Sequence, residues 1–185
     1  NLCKKNNIPT ADFGVFDKFD VASNFIEKSK IPIVVKADGL AAGKGVLICN
    51  SKEEAIIETK KILNGKFKSS KKVVLEEFLQ GEELSYFVLV DKNSYSFFGS
   101  AQDHKKVGEG DTGLNTGGMG AYSPARNLTE DLETKIRNKI IEPTLKAMKA
   151  LGYPYTGFLY AGLMIKNGEP YLIAVSYTHL TLPTT

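Results

Sequence analysis

The chain has 185 residues, of which 42% are hydrophobic and 24% are charged, and its net charge is +3. This length suffices for one sizeable domain, or two small lobes, with a buried core. No apolar run approaches the roughly 20 residues of a membrane span, and the first residues lack the layout of a secretory signal. The balanced charge argues against a nucleic-acid partner. We therefore expect a soluble globular protein that binds neither membrane nor nucleic acid.

The two cysteines, Cys3 and Cys49, are too few for a disulfide framework. A chain without disulfides fits a reducing compartment, so we expect a cytoplasmic protein. Cys49 lies in an apolar run, where a small core residue is expected.

The first third of the chain alternates helix and strand. Apolar residues at helical spacing predict a helix within Asp17–Lys30, and the β-branched run Ile31–Val35 predicts a buried strand. The segment Gly39–Gly45 suits neither element, so we predict a glycine-rich loop that leads to the strand Val46–Cys49. A Ser-x-x-Glu capping box predicts a helix within Ser51–Gly65.

Strands dominate the middle of the chain. Val73–Leu75 reads as a strand, and Leu84–Val90 with Ser94–Ala101 reads as an antiparallel hairpin. The glycine-rich stretch Gln102–Ser123 has neither a helical nor a strand period, so we predict a long loop. Loops of this length inside compact domains are usually functional.

A helix and a second hairpin complete the pattern. Thr129 should cap a helix that Pro143 kinks or restarts. Gly157–Lys166 reads as a strand, and Asn167-Gly168 is a two-residue hairpin turn that leads into Tyr171–Ile173.

Lys36 and the glycine-rich loop after it form the first candidate site. The loop exposes backbone N–H groups beside a second lysine, Lys44, an arrangement that suits phosphate. It is not a Walker loop, because the spacing from Gly39 to Gly43 is one residue short and Gly45 replaces the hydroxyl residue. A flexible turn that needs glycine only for backbone freedom is the alternative.

The long loop forms the second candidate site. Its charged residues Asp103, His104 and Lys105, with the glycine-rich segment Asn115–Tyr122, suit a small polar, anionic substrate. The run Gly108–Gly113 matches a dinucleotide motif by letters, but no helix follows, so that interpretation fails. For His104, a surface loop residue is the alternative.

Glu76–Glu83 forms the third candidate site. It offers backbone groups beside the apolar residues Phe78 and Leu79, with carboxylates on either side. An adenine edge and ribose hydroxyls could be bound there. An acidic, solvated linker is the alternative.

Five segments together resemble one family. They are Ile33–Val46, Glu76–Glu83, Gln102–Lys105, Asn115–Pro124 and Tyr155–Met164. In this order they are similar to the phosphoribosylamine–glycine ligase family, over about residues 1–173. A leucine at position 114, where the family usually has proline, is a minor departure.

The resemblance implies an α+β protein with the ATP-grasp fold, in which a small lid and a larger mixed-sheet lobe clamp ATP. It divides the chain into a leading segment (1–16) from a missing amino-terminal domain, a small lid subdomain (17–79), a large lobe (80–173) and a tail (174–185). The parent enzyme would also have a carboxy-terminal domain, which is missing here.

The resemblance also implies roles for individual residues. The nucleotide-binding set is Lys36, Gly43, Lys44, Gly45, Glu76, Phe78, Leu79 and Glu83. Within it, Lys36 should contact the ATP phosphates, and Gly43, Lys44 and Gly45 should form a mobile lid loop. Glu76 and the backbone of Phe78 and Leu79 should bind adenine, and Glu83 should bind ribose. The acceptor-site set is Asp103, His104, Lys105, Asn115, Thr116, Gly117 and Gly118.

The implied reaction joins glycine to 5-phosphoribosylamine. ATP phosphorylates the glycine carboxylate, and the amine attacks the acyl phosphate, which gives glycinamide ribonucleotide, ADP and phosphate in purine biosynthesis. The implied cofactors are ATP and Mg2+ or Mn2+. Catalysis of this kind depends on positioning and charge neutralisation.

The end of the chain departs from the family. Its Glu-x-Asn metal ligands fall on Ala174 and Ser176, which cannot replace a carboxylate and an amide oxygen. We therefore expect no metal ligands here, an artefactual tail from residue 174 and an inactive fragment. Two alternatives stay open: another ATP-grasp carboxylate–amine ligase, and a non-catalytic nucleotide-binding module.

Overall fold

The computed structural model describes residues 2–39, 45–68, 70–91, 94–104, 106–109, 112–115 and 120–178. The chain forms two compact units. The first unit is Ala11–Leu79, and the second unit combines Asn1–Thr10, which contains the short helix α1 (Leu2–Lys5), with Gln80–Thr185. Within these described ranges, no helix is long and apolar enough to cross a membrane.

The first unit is built on a four-stranded sheet. Its strands are β1 (Phe13–Phe16), β2 (Ile33–Ala37), β3 (Val46–Cys49) and β4 (Val73–Glu77). They pair in the order β1-β4-β2-β3, and every pair is antiparallel. Thus β2, which ends at the glycine-rich loop, lies in the interior of the sheet.

Two helices belong to this unit, α2 (Phe19–Lys28) and α3 (Lys52–Lys61), and α3 continues as a π-helical turn, Ile62–Lys66. The predicted capping box is confirmed at its serine, whereas its glutamate accepts from the residue before Ser51 instead of from Ser51 itself. The hydroxyl of Ser51 accepts a hydrogen bond from the backbone N–H of Glu54 at 3.1 Å, and the Glu54 carboxylate accepts one from the N–H of Asn50 at 2.9 Å.

The core residues of the first unit follow the period of two residues in strands and the period of about 3.6 residues in helices. Alternate residues of β2, Ile33 and Val35, are buried, and so are Ala22 and Ile26, one turn apart on α2. Cys49 is fully buried among them, which confirms it as a core residue.

The second unit is built on a larger antiparallel sheet. The strands of this unit are β5 (Glu82–Val90), β6 (Tyr95–Asp103), β7 (Lys106–Gly108), β8 (Thr112–Asn115), β9 (Ala121–Tyr122), β10 (Gly157–Lys166) and β11 (Glu169–Thr178). Five of them pair in the order β11-β10-β5-β6-β9, and β7 pairs with β8 separately. The prediction of a strandless loop after β6 is therefore wrong in part, because short glycine-containing strands lack the alternating pattern that identifies a strand.

One helical run packs on this sheet: α4 (Glu130–Ile136), a π-helical segment (Arg137–Ile141) and α5 (Glu142–Ala150). Thr129 caps it as predicted, since its hydroxyl accepts from the N–H of Leu132 at 3.2 Å. Pro143 lies in the first turn of α5. Its missing N–H is accommodated by the π-helical segment just before it, so the helical run continues instead of breaking.

The two faces of the five-stranded sheet differ. Leu84, Tyr86 and Val88 of β5 belong to the core, together with residues of the helical run. Because strand side chains alternate, Glu83, Ser85 and Phe87 lie on the opposite face, which we call the non-core face.

The predicted hairpin turn between β10 and β11 is confirmed. Asn167 and Gly168 both have positive φ, 53° and 74°, as a tight two-residue turn requires. The strand after the turn runs on past Ile173 to Thr178. The antiparallel sheets and separate helices of the two units confirm the α+β prediction.

Candidate functional site

Lys36 and Glu76, both in the predicted nucleotide-binding set, contact each other in the first unit. The Nζ atom of Lys36 lies 2.5 Å from Oε2 of Glu76. Val34 of β2 pairs with Glu76 of β4, and Lys36 pairs with Val74, so the two charged side chains are diagonal neighbours on one face of the sheet. Their side chains are 23% and 20% exposed, which leaves the ammonium group held in place yet accessible to an anion.

Backbone hydrogen bonds close the base of the glycine-rich loop. The N–H of Ala37 donates to the carbonyl of Gly45 at 2.8 Å, and the N–H of Asp38 donates to the carbonyl of Lys72 at 3.1 Å. Gly45 is buried at this junction. The other two members of the predicted lid loop, Gly43 and Lys44, lie outside the described residues.

Phe78 and Leu79 follow β4 directly. Leu79 is 5% exposed and Phe78 is 37% exposed. Among the described residues, neither forms a backbone hydrogen bond, whereas Glu77 just before them exchanges two hydrogen bonds with Asp12. Backbone groups that no strand uses are those that can bind the edge of a base.

Glu83 lies on the non-core face near the start of β5, where it pairs with Met164 of β10. The position of this strand depends on Gly81. A Cβ atom at position 81 would lie 2.2 Å from the carbonyl oxygen of Ile165, so only glycine lets the two backbones approach this closely. The tight contact sets where Glu83 enters the sheet.

Two of the predicted acceptor-site residues, Asp103 and His104, lie where β6 ends. Asp103 pairs with Ala121 of β9, and the N–H of His104 donates to the carbonyl of Gly120 at 2.9 Å. Asn115 lies at the end of β8, opposite Lys106. The remaining members of this set, Lys105, Thr116, Gly117 and Gly118, lie outside the described residues.

His104 lies beside Tyr122, which in turn contacts Gln102 and Arg126. Its ring lies 5.3 Å from that of Tyr122, the guanidinium of Arg126 lies 5.5 Å from the same tyrosine ring, and the Tyr122 hydroxyl donates to the side-chain oxygen of Gln102 at 2.5 Å. Gln102 and Tyr122 belong to segments that carry the resemblance, whereas Arg126, just beyond the second of these segments, was not predicted. Together they form an aromatic and cationic surface next to the predicted acceptor residues.

A cavity of about 270 Å³ in the second unit contains none of the predicted site residues. It is lined by parts of β5, β6 and α5, where the Tyr95 hydroxyl donates to Glu142 at 3.0 Å. Burial, followed by the Glu142 carboxylate, raises the pKa of Tyr95 to about 12. This hydroxyl is therefore a structural donor at neutral pH.

The residues at the family's metal-ligand positions do not fit magnesium. On β11, Ala174 pairs with Gly162 and Ser176 pairs with Tyr160. Both residues are exposed. A methyl group donates nothing to a hard cation, and one hydroxyl is a poor substitute for a carboxylate. Within the described part of the chain, no group of three acidic, histidine or cysteine side chains could hold a metal.

Comparison with known proteins shows consistent relatives. The family described as phosphoribosylglycinamide synthetase, ATP-grasp (A) domain, matches residues 1–178. Phosphoribosylamine–glycine ligase from Mesorhizobium japonicum is 48% identical over 174 residues, which are 94% of this chain and 41% of the relative. The chloroplastic phosphoribosylamine–glycine ligase of Arabidopsis thaliana is 52% identical over 177 residues, which are 94% of this chain and 33% of the relative.

Solved structures agree with this fold. The crystal structure of phosphoribosylamine–glycine ligase from Thermotoga maritima superimposes with a TM-score of 0.86 at 39% identity, over 95% of this chain and 45% of that one. D-alanine–D-alanine ligase from Bacillus anthracis, solved in complex with ATP, gives a TM-score of 0.65 at 21% identity, over 95% of this chain and 53% of that one. The second likeness is one of fold alone.

The chain spans 41% and 33% of the length of the two curated relatives. The predicted ATP-grasp fold is confirmed by the family match and by the superimposed structures. With more than nine tenths of its residues matched, the chain belongs to the phosphoribosylglycinamide synthetase ATP-grasp (A) domain family.

Proposed function

We propose that this chain is the nucleotide-binding part of an ATP-dependent carbon–nitrogen ligase that joins glycine to 5-phosphoribosylamine. The observation that carries the proposal is the Lys36–Glu76 ion pair of 2.5 Å, located where β2 enters the glycine-rich loop. A fixed cation beside backbone N–H groups is suited to phosphate. In this scheme, residues 17–79 act as the lid subdomain and 80–173 act as the large lobe.

The proposed reaction has two steps. A carboxylate oxygen of glycine attacks the terminal phosphorus of ATP, and ADP leaves with the electron pair of the broken P–O bond. The amine of 5-phosphoribosylamine then attacks the carbonyl carbon of glycyl phosphate, phosphate leaves, and the nitrogen loses a proton. Positioning of the reactants and neutralisation of phosphate charge supply most of the catalysis in such reactions.

The residues of this chain would contribute by binding. Lys36 would neutralise charge on the ATP phosphates, and Gly43, Lys44 and Gly45 would bind them from the glycine-rich loop. Glu76 and the free backbone groups of Phe78 and Leu79 would bind adenine, and Glu83 would accept hydrogen bonds from ribose. Carboxylates suit ribose because they accept from two hydroxyls at once.

The second set would bind the acceptor substrates. Asp103 can accept hydrogen bonds from an amine, and His104 and Lys105 can donate to an anionic group. The backbone of Asn115–Gly118 would approach the substrate closely, because glycine leaves room for it. A set that offers both a carboxylate and hydrogen-bond donors suits a substrate such as glycine, which carries both charges.

The parent enzyme would use Mg2+ or Mn2+ with ATP, whereas this chain has Ala174 and Ser176 at the positions that the resemblance assigns to the metal ligands. We propose that Ala174 and Ser176 leave it unable to hold the metal at those positions and hence unable to turn over. The same two residues favour a second candidate function, a nucleotide-binding module without catalysis. The proposed compartment is the cytoplasm, although the plant relative is named as chloroplastic.

Calorimetric titration with a non-hydrolysable ATP analogue, with and without magnesium, tests the proposal. The wild-type chain would be compared with Ala174→Glu/Ser176→Asn, which restores the carboxylate and the amide. A matched control, Ala174→Gln/Ser176→Asn, has the same size without the charge. We expect magnesium-dependent affinity only in the first double variant. Failure of all three chains to bind the analogue would overturn the proposal.

A further inference from the structure

Tyr160 is a residue of the non-core face whose position depends on a glycine. Its neighbours on β10, Leu159 and Ala161, are buried in the core, so Tyr160 lies on the other face. A Cβ atom at Gly162 would lie 2.8 Å from the phenolic oxygen of Tyr160. The hydroxyl therefore lies directly over Gly162, in space that any other residue would fill.

Two further contacts define the direction of the phenol. The ring of Tyr160 lies 5.4 Å from the ring of Phe87 on the neighbouring strand β5. On the other side, Ala174 of β11 pairs with Gly162. A Cβ atom added at position 162 would lie 3.3 Å from the Cβ of Ala174. The ring is thus supported by Phe87 while its hydroxyl extends along the sheet, beside the small side chain of Ala174.

The hydroxyl of Tyr160 has no hydrogen-bond partner among the residues that the structure describes. The side chain is half-buried, so the hydroxyl can reach a ligand. Half-buried tyrosine hydroxyls usually find a partner, because an unmade hydrogen bond is costly. A group that the protein holds over a glycine, without a protein partner, is a candidate to bind a ligand.

The strand register relates Tyr160 to Glu83. Glu83 pairs with Met164 and Phe87 pairs with Tyr160, so the two positions are four residues apart on the same face. Four residues of a strand span about 13 Å. A nucleotide whose ribose binds Glu83 and whose phosphates extend along β5 and β10 would bring its outermost phosphate to this region.

We propose that the hydroxyl of Tyr160 donates a hydrogen bond to the terminal phosphate of the bound nucleoside triphosphate, and that Phe87 and Gly162 position it. This inference rests on the proposed function, which supplies the nucleotide and the role of Glu83. An O–H donor suits that place, because a hydrogen bond to a charged phosphate oxygen is stronger than one between neutral groups. It would make the site distinguish a triphosphate from a diphosphate.

Calorimetry with two nucleotides, AMP-PNP and ADP, tests the inference at one magnesium concentration. Tyr160→Phe keeps the ring and removes only the hydroxyl. We expect it to weaken AMP-PNP binding about tenfold and to leave ADP binding unchanged. Tyr153→Phe is the matched control, since Tyr153 is 71% exposed outside the strands, and it should change neither affinity.

Gly162→Ala provides a second variant. Its added methyl should displace the Tyr160 hydroxyl and produce the same selective loss, provided that thermal unfolding shows a folded chain. If the wild-type chain binds both nucleotides and Tyr160→Phe changes neither, or weakens both equally, the role of Tyr160 is overturned and the proposed function stands. If the wild-type chain binds neither nucleotide, the proposed function is overturned and this inference with it.

Discussion

Lys36 and Glu76, 40 residues apart in the chain, meet across two antiparallel strands with 2.5 Å between Nζ and Oε2. The pair joins two polar residues of the first unit that the resemblance assigns to ATP. Since both side chains are about four fifths buried, the lysine is held in one orientation rather than free to sample the solvent. A preorganised cation loses less entropy when it binds phosphate.

Lys36→Ala should therefore weaken binding of an ATP analogue about tenfold or more, because it removes a charge-assisted contact to phosphate. Lys61→Ala is the matched control, since Lys61 also pairs with a glutamate, Glu58, at 2.6 Å but is 54% exposed. It should change the affinity by less than about twofold. Calorimetric dissociation constants measure both, and equal effects would exclude the phosphate role of Lys36.

Gly81→Ala should destabilise the second unit by about 2–4 kcal/mol, because the new Cβ would overlap the backbone carbonyl of Ile165, which cannot move like a side chain. Gly99→Ala on β6 is the control, since a Cβ there would meet nothing within 4 Å. Urea unfolding followed by circular dichroism measures the difference. Similar midpoints for the two variants would contradict the close approach of β5 and β10.

Cys49 should resist alkylation in the folded chain. Burial, followed by Glu54 and Glu58, raises the pKa of its thiol from 9.0 to about 11. Since the thiolate is the reactive form, the folded chain at pH 8 should have about a hundredfold less of it than the unfolded chain. Cys3, which is only half-buried, serves as the internal control. Mass spectrometry after iodoacetamide treatment should show Cys3 labelled first, and the reverse order would contradict the buried position of Cys49.

The Glu58 carboxyl should make the free energy of unfolding depend on pH in the acidic range. Hydrogen bonds from Lys61 and then Lys66, each 2.6 Å long, lower the pKa of the Glu58 carboxyl below 4.5. A carboxyl whose folded pKa is lowered stabilises the fold above its unfolded pKa, and this contribution is lost as the pH falls through the folded value. The contribution should be less than about 1 kcal/mol, since both lysines are exposed to solvent.

The free energy of unfolding should thus differ between the wild-type chain and Glu58→Gln at pH 7, and the difference should shrink as the pH falls from 5 to 3. Glu27→Gln is the control, because the Glu27 side chain is 57% exposed and the Lys52 nitrogen lies 3.6 Å from its carboxylate. It should affect stability less at every pH. A difference for Glu58→Gln that stays constant with pH would rule out the proposed ion pairs.

Features that depend on neighbouring residues were predictable from the sequence. The capping box at Ser51, the cap at Thr129 and the Asn167-Gly168 turn each involve atoms within a few residues, so their chemistry is readable locally. The family could be recognised for a related reason, since its motifs are contiguous runs of residues. The short strands after β6 could not be predicted, because glycine obscures their alternation.

The helices, the main strands, their caps and turns, and the family can all be predicted from the order of the amino acids. Three contacts could be found only from the folded chain: Lys36 with Glu76, Tyr122 with His104, and Tyr160 over Gly162. The first two contacts depend on strand register and on the path of the backbone between distant segments, whereas the third depends on the direction that the Tyr160 side chain takes along its own strand. A shift of one residue in register would move each of these side chains to the other face of its sheet, and periodicity alone does not specify the register.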